Sequence, residues 1–438
     1  MSFSKVLENV KNFEPILFSG KVTQVVGTVV EGCLPNCSLG MLCDIFSGNS
    51  LSGVRAEVVG FRDDKVILIP FGEMRGIKLG SKIISKGITP KVGAGYELLG
   101  RVINGVGNPI DGKPLVSLKD EVPVYAEPIN PFLRRRIRDP LDLGIRAINA
   151  FLTCGIGQRV AIMAGSGIGK SILLGIIARN TSADINVIGL IGERGRELKE
   201  FIERDLGEEG LKRSVVVAVT SDLSPLERVR GAFVATAIAE YFRNLGKNVL
   251  LMMDSITRFA MAQREIGLAA GEPPTTKGYT PSVFSFLPKI IERAGMSEKE
   301  GSITALYTVL VEGDDLTDPI ADAVRALVDG HIVLSRDLAD RNHYPAIDVL
   351  GSKSRVMIDI ISEEHQRLAA KVQRLIASYR KAETLINIGA YSKGSNPEID
   401  EAISKQDMIN RFLQQGIFEK VNFDDSLRGL REVVINRK

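Results

Sequence analysis

The chain has 438 residues, more than one hydrophobic core organises well, so two or three domains are expected. Its 44% hydrophobic and 25% charged residues suit a soluble globular protein, and a net charge of +3 with no long basic block argues against a nucleic-acid-binding surface. The first residues lack the apolar region of a secretory signal and no stretch approaches the roughly 20 apolar residues that span a bilayer, so the cytoplasm is the expected compartment.

Phe3, Val6, Leu7, Val10 and Phe13 recur at helical spacing before Pro15, which predicts a short amphipathic helix within an N-terminal segment, 1–18. The character then changes to short Val/Ile-rich runs broken by Gly and Asp: 21–30, 56–61, 66–70 and 82–84. Many short strands with turns between them predict a small β-barrel over 19–92. Cys33, Cys37, Cys43 and Cys154 lack the spacing of paired zinc ligands and read as buried free thiols in a reducing compartment. Between Gly100 and Pro140, Asn-Gly, Gly-Asn-Pro and Asp-Gly-Lys-Pro signals mark a connecting region. Its cluster Arg134, Arg135, Arg136 and Arg138 reads first as a solvated linker and second as a contact for phosphate or an acidic partner.

Further on, apolar runs at 159–163, 185–191, 215–219, 249–253 and 303–309 alternate with helical segments. This predicts an α/β domain within 93–360, built on a mostly parallel sheet with its chemistry at the carboxyl ends of the strands. Segments 363–382 and 397–414 read as helices of a C-terminal helical domain, 361–438.

Three features carry chemistry. The first is Ala164-Gly165-Ser166-Gly167-Ile168-Gly169-Lys170-Ser171, between a strand and the helical run 172–179. Its glycines let backbone N–H groups converge on phosphate oxygens, and the helix N-terminus adds its dipole. Lys170 reaches the β- and γ-phosphates and the Ser171 hydroxyl binds Mg²⁺, so residues Gly165 to Ser171 form a P-loop for ATP. Ala164 stands where the strict pattern has Gly. The second feature is the apolar run Asn248 to Met253 ending in Asp254, a Walker B acid for the metal. The third is Glu193, after the strand 187–191 and at the same sheet edge, which can polarise the attacking water.

The run Gly189-Leu190-Ile191-Gly192-Glu193-Arg194-Gly195-Arg196-Glu197 resembles the catalytic-glutamate segment of the rotary ATP synthase β subunit and its export relatives. Pro345-Ala346-Ile347-Asp348-Val349-Leu350-Gly351-Ser352-Lys353-Ser354 resembles the signature decapeptide of that superfamily. Resemblance to the flagellar and type III secretion export ATPases is closer and extends from Gly20 onward. It takes in 254–260, 262–265, 271–274, 278–284, 312–315 and 329–336, and it includes the Ala-Gly-Ser-Gly opening of the phosphate loop.

The resemblance implies a RecA-like fold for the central domain. It implies that Glu193 is the catalytic carboxylate, with Arg194 beside it at the γ-phosphate. It also implies that Tyr344 packs on the adenine and that Arg355 is an arginine finger for the neighbouring subunit's nucleotide. The expected assembly is a homohexamer that hydrolyses ATP to energise protein export. Its expected partners are stator and central stalk proteins, cargo and chaperones, with peripheral contact at the cytoplasmic face of the inner membrane. A catalytic subunit of a proton-driven rotary ATP synthase is the nearest rival; an RNA-translocating motor would need a basic, aromatic N-terminal domain, and a non-catalytic ring subunit would not keep Lys170, Glu193 and Asp254. Relatives commonly carry Thr before Gly144 and Asp at the position of Asn149. That departure lies outside the phosphate-binding residues and bears on local packing.

Overall fold

The computed structural model describes residues 17–47, 53–86, 90–311, 313 and 315–435. The helix expected at 3–13 lies outside the described residues. Six antiparallel strands, Ser19–Val26, Val29–Cys33, Leu42–Phe46, Val54–Arg62, Lys65–Pro70 and Lys82–Ser85, close into a barrel. Closure leaves no strand edge unpaired, and the interior fills with Val22, Val30, Ile45, Val58, Leu68 and Ile83. The run 21–30 is two strands rather than one, because Gly27 turns the chain at φ 56°. Of the cysteines, Cys43 and Cys154 are buried, Cys37 is half-buried and Cys33 is exposed, so burial holds for only part of the set.

The main path of the central sheet is built from β1 (Arg101–Ile103), β2 (Arg159–Ala164), β3 (Ile185–Glu193), β4 (Ser214–Thr220), β5 (Asn248–Asp254), β6 (Ser302–Leu310), β7 (Gly330–Val333) and β8 (Lys353–Ser354), and the short strand Gly295–Met296 pairs antiparallel with β6 off that path. The order along the path is β8-β7-β2-β6-β5-β3-β4-β1. All strands of the path pair in parallel except β8, which runs antiparallel to β7. Both faces are covered: on β5, Val249, Leu251 and Met253 enter one apolar cluster, and Leu250 and Met252 enter the other. That is why the strands read as unbroken apolar runs. β1 falls in the expected connecting region, where three residues between turn signals are too short to register as a strand.

Helices α1 (Lys170–Asn180), α2 (Pro225–Asn244) and α3 (Ile256–Ala270) follow β2, β4 and β5. Within the arginine cluster, Arg134 and Arg135 form a clasp, whereas Arg136 and Arg138 are exposed, as a solvated linker would have them. Arg134 donates to the carbonyls of Ile129 and Ala294, both at 3.1 Å, and to that of Glu292. Arg135 donates to those of Ser297 and Gly301, both at 3.3 Å. Arg134 thereby caps the carbonyl end of the helix Pro281–Ile291, where a cation is favoured.

The last described elements are α4 (Glu363–Asn387), α5 (Pro397–Leu413) and α6 (Phe423–Ile435). Asn149, only 1% exposed, helps dock α6 on the central domain: its amide donates to Asp142 Oδ1 at 2.8 Å and to Ser426 Oγ at 3.4 Å. Asp142 Oδ2 accepts the Phe423 N–H at 2.9 Å. A carboxylate at 149 would face the Asp142 carboxylate in a buried place, so a neutral amide fits this joint.

Candidate functional site

The phosphate loop leaves β2 at Ala164 and enters α1 at Lys170. Gly167 and Gly169 sit at φ 80° and 86°, backbone that side chains resist. A Cβ on Gly169 would come within 3.2 Å of the Tyr344 ring, so that glycine also lets the aromatic close on the loop. Ile168 turns inward at 2% exposure, which leaves only its backbone to face a ligand.

The Lys170 ammonium lies between two carboxylates: it pairs with Asp254 Oδ1, and Glu193 Oε1 is 3.7 Å away. Burial pushes the lysine toward neutrality, but Asp254 and Glu193 outweigh it and hold its pKa above the ordinary value. Asp254, at the end of β5, is 4% exposed, and its Oδ1 also accepts the Thr308 hydroxyl of β6 at 2.7 Å. The first turn of α3 is tied to the same strand end, since Thr257 Oγ1 accepts the Leu310 N–H at 2.8 Å.

Glu193 ends β3 past an irregularity in its pairing with β4. Gly192 makes this bend at φ 72°, and a Cβ there would lie 2.9 Å from Arg258 Cβ. Burial, and after it the charge of Asp254, push the Glu193 carboxyl up to about 7. Its Oε1 is buried without a hydrogen-bond partner among the described residues. The group is thus near neutral pH in its proton affinity, as a base acting on water requires.

Lys170, Glu193 and Arg258 open onto a cleft of about 910 Å³, and the buried Asp254 is joined to it through Lys170. Its cations are Lys170, Arg194, Arg204, Arg258, Arg264, Lys277 and Arg336, against the acids Glu193, Glu197 and Asp318. That excess favours a polyanion. Gly165, Ser166, Gly167, Gly169, Lys170, Ser171, Glu193, Arg194 and Tyr344 all line it. Arg194 stands at its rim, largely exposed and paired with Glu197 at 3.1 Å. The donors available to a metal, Ser171 and Asp254, are hard oxygens of the kind Mg²⁺ takes.

Arg355 does not enter this cleft. It lies in a separate groove of about 290 Å³ with Asp322, Arg325, His331 and Lys353. Sequence reasoning did not single out Arg258, Thr308 or Arg336. Arg258 sits one turn into α3 with its Nε buried and unpartnered among the described residues. Its signal was a basic residue closely following a strand-end acid. Arg336 donates to the Ser166 carbonyl at 3.3 Å. Thr308 gave no signal, because a threonine inside a strand is ordinary.

Three family models match in order along the chain. Residues 22–87 match the β-barrel domain of the ATP synthase alpha/beta family and 144–354 its nucleotide-binding domain; 361–432 match the T3SS EscN ATPase C-terminal domain. The chain is 51% identical over 420 residues to the flagellum-specific ATP synthase of Bacillus subtilis, covering 96% of each protein. It is 50% identical over 414 residues to the type 3 secretion system ATPase of Xanthomonas euvesicatoria, covering 94% of this chain and 93% of that one. The chain belongs to the flagellar and type III secretion ATPase family. Among solved structures, the assembled ATPase EscN of enteropathogenic E. coli superposes with a TM-score of 0.90 at 48% identity, over 95% of this chain and all of that one. EscN in complex with its central stalk EscO superposes at 0.87 and 47% identity over the same shares. The export ATPase family thus accounts for barrel, sheet and C-terminal helices together, and the EscN-type C-terminal match sets the chain apart from a plain rotary synthase subunit.

Proposed function

We propose that this ATPase hydrolyses ATP in a homohexameric ring and thereby energises export of proteins through a flagellar or type III secretion apparatus. The observation that carries the catalytic reading is the Lys170 ammonium held between Asp254 and Glu193 at the mouth of the phosphate loop. Lys170 and the loop N–H groups bind the β- and γ-phosphates. Glu193 takes a proton from the attacking water, which its raised proton affinity favours. Ser171 and Asp254 would hold Mg²⁺, which when bound neutralises charge on the phosphate oxygens. Thr308 keeps Asp254 oriented for that task. Arg194 and Arg258 bring positive charge to the terminal phosphate from the same subunit, and Tyr344 packs on the base.

Arg355 acts in trans as the arginine finger. Its position outside its own cleft supports this, as does the assembled state of EscN. A guanidinium fork suits the charge spread over a transferring phosphoryl group. The central stalk bound to EscN supports a stalk partner here, beside stator, cargo and chaperones. No described helix is long and apolar enough to cross a membrane, which fits work in the cytoplasm with peripheral contact at the inner membrane.

The test is phosphate release by purified chain across a range of protein concentrations, wild type against Lys170→Ala. Wild-type specific activity should rise with concentration as rings form, and the variant should lose at least about 10²-fold. Undiminished turnover by Lys170→Ala overturns the catalytic reading. Activity that appears only with a different ring subunit overturns the homomeric one and returns the chain to the synthase class.

A further inference from the structure

Arg355 begins one residue past β8, and its backbone is built into the root of the strand that feeds the phosphate loop. Its N–H donates to the Asp329 carbonyl at 2.9 Å, and the Asp329 N–H donates to the carbonyl of Arg159, the first residue of β2, also at 2.9 Å. The Asp329 carboxylate closes this link. It accepts the Arg159 backbone N–H at 3.0 Å and the Arg159 Nε and Nη2 at 3.1 Å each.

Beside it lies Gln158, which is fully buried. Its Oε1 accepts the Gly155 N–H at 2.8 Å, and its Nε2 donates to Ser354 Oγ at 3.2 Å and to the Asp329 carbonyl at 3.4 Å. Ser354 in turn donates to the Thr153 carbonyl at 2.9 Å. A Cβ on Gly330 would come within 2.6 Å of the Lys353 carbonyl, so these segments meet backbone to backbone.

The tip of Arg355 is the opposite case. It is exposed, and its guanidinium has no hydrogen bond or ion pair among the described residues. A free tip on a fixed root is what a group serving another molecule needs. An arginine stem is long and flexible, so its aim depends on where the Cα is held, and a misplacement of about 1 Å can cost about 10²-fold in rate. Polar groups hold such a place well only when paired, as those of the buried Gln158 and the half-buried Asp329 are.

We propose that Asp329 and Gln158 are positioning residues for Arg355, fixing its peptide to the root of β2 so that the guanidinium is aimed at the neighbouring subunit's nucleotide. This rests on the reading of Arg355 as a finger acting in trans. One strand then carries this subunit's phosphate loop at its carboxyl end and, at its amino end, the support of the finger this subunit lends to its neighbour.

Mixed rings test it. Arg355→Ala subunits keep a phosphate site and lack a finger; Lys170→Ala subunits keep a finger and lack a site. Mixed one to one, two inactive proteins should regain activity at up to about a quarter of the interfaces, as random placement in a ring gives. Asp329→Ala is then added to one partner at a time. In the Lys170→Ala partner, which supplies the finger, it should cut the regained activity at least about tenfold. In the Arg355→Ala partner, which supplies the site, it should leave it within about twofold. Gln158→Met is expected to follow the same pattern. Equal losses in both arms, or none in either, overturn the positioning role while leaving the finger intact. If the parental mixture regains nothing, the trans reading of Arg355 itself falls, and the positioning role falls with it.

Discussion

Replacing Glu193 by Gln should abolish turnover and yet stabilise the nucleotide-free protein at alkaline pH. The carboxyl is raised from an ordinary 4.5 to about 7, first by burial and then by the charge of Asp254, and Lys170 offsets only part of this. The folded protein therefore holds this proton more tightly than the unfolded chain does. Stability from this group is fully present below about pH 4.5 and is lost as the pH climbs toward about 7, the reverse of an ion-paired carboxylate. The rise from 4.5 to about 7 corresponds to about 3 kcal/mol. Because the side chain faces a cleft that water enters, screening reduces this to about 1–2 kcal/mol. A glutamine carries no charge and escapes the loss. Urea unfolding midpoints of the two proteins, measured from about pH 5 to about pH 8.5, should diverge in favour of the variant as the pH rises. Phosphate release should fall to background at every pH. Parallel stability curves would show that Glu193 ionises in the folded protein as it does in water, and retained hydrolysis would remove it from the chemistry.

Two further substitutions probe the surroundings of that pair. Thr308→Val keeps the shape of the side chain but removes the hydroxyl that donates to Asp254 Oδ1, and loss of a hydrogen bond to a charged group costs about 1.5–3 kcal/mol. A lower urea midpoint is expected, and an unchanged one means the hydroxyl does not orient Asp254. Tyr344→Ala should raise KM for ATP about tenfold with kcat nearly unchanged, because stacking on a base contributes about 1–3 kcal/mol to binding. Tyr344→Phe should keep the wild-type KM. A loss confined to kcat would place Tyr344 outside base binding.

The amino-acid sequence by itself determined the phosphate loop, the strand-end acids and the three-part order of barrel, sheet and helices. Each of these is written in neighbouring residues: glycines at fixed offsets before Lys170, apolar runs ending at Glu193 and Asp254, and turn signals between short strands. Such signals survive because backbone geometry and burial act over a few residues at a time. Tertiary structure alone decided that Lys170 is shared by two carboxylates from different strands, that Thr308 steadies one of them, and that β1 joins the central sheet from within a run of turns. It also decided that Arg134 and Arg135 grip backbone carbonyls instead of lying free, and that Arg355 is rooted on β2 through Asp329. Those pairings join residues far apart in the chain. What fixes them is the order in which the strands lie side by side, and no local pattern of residue types encodes that order.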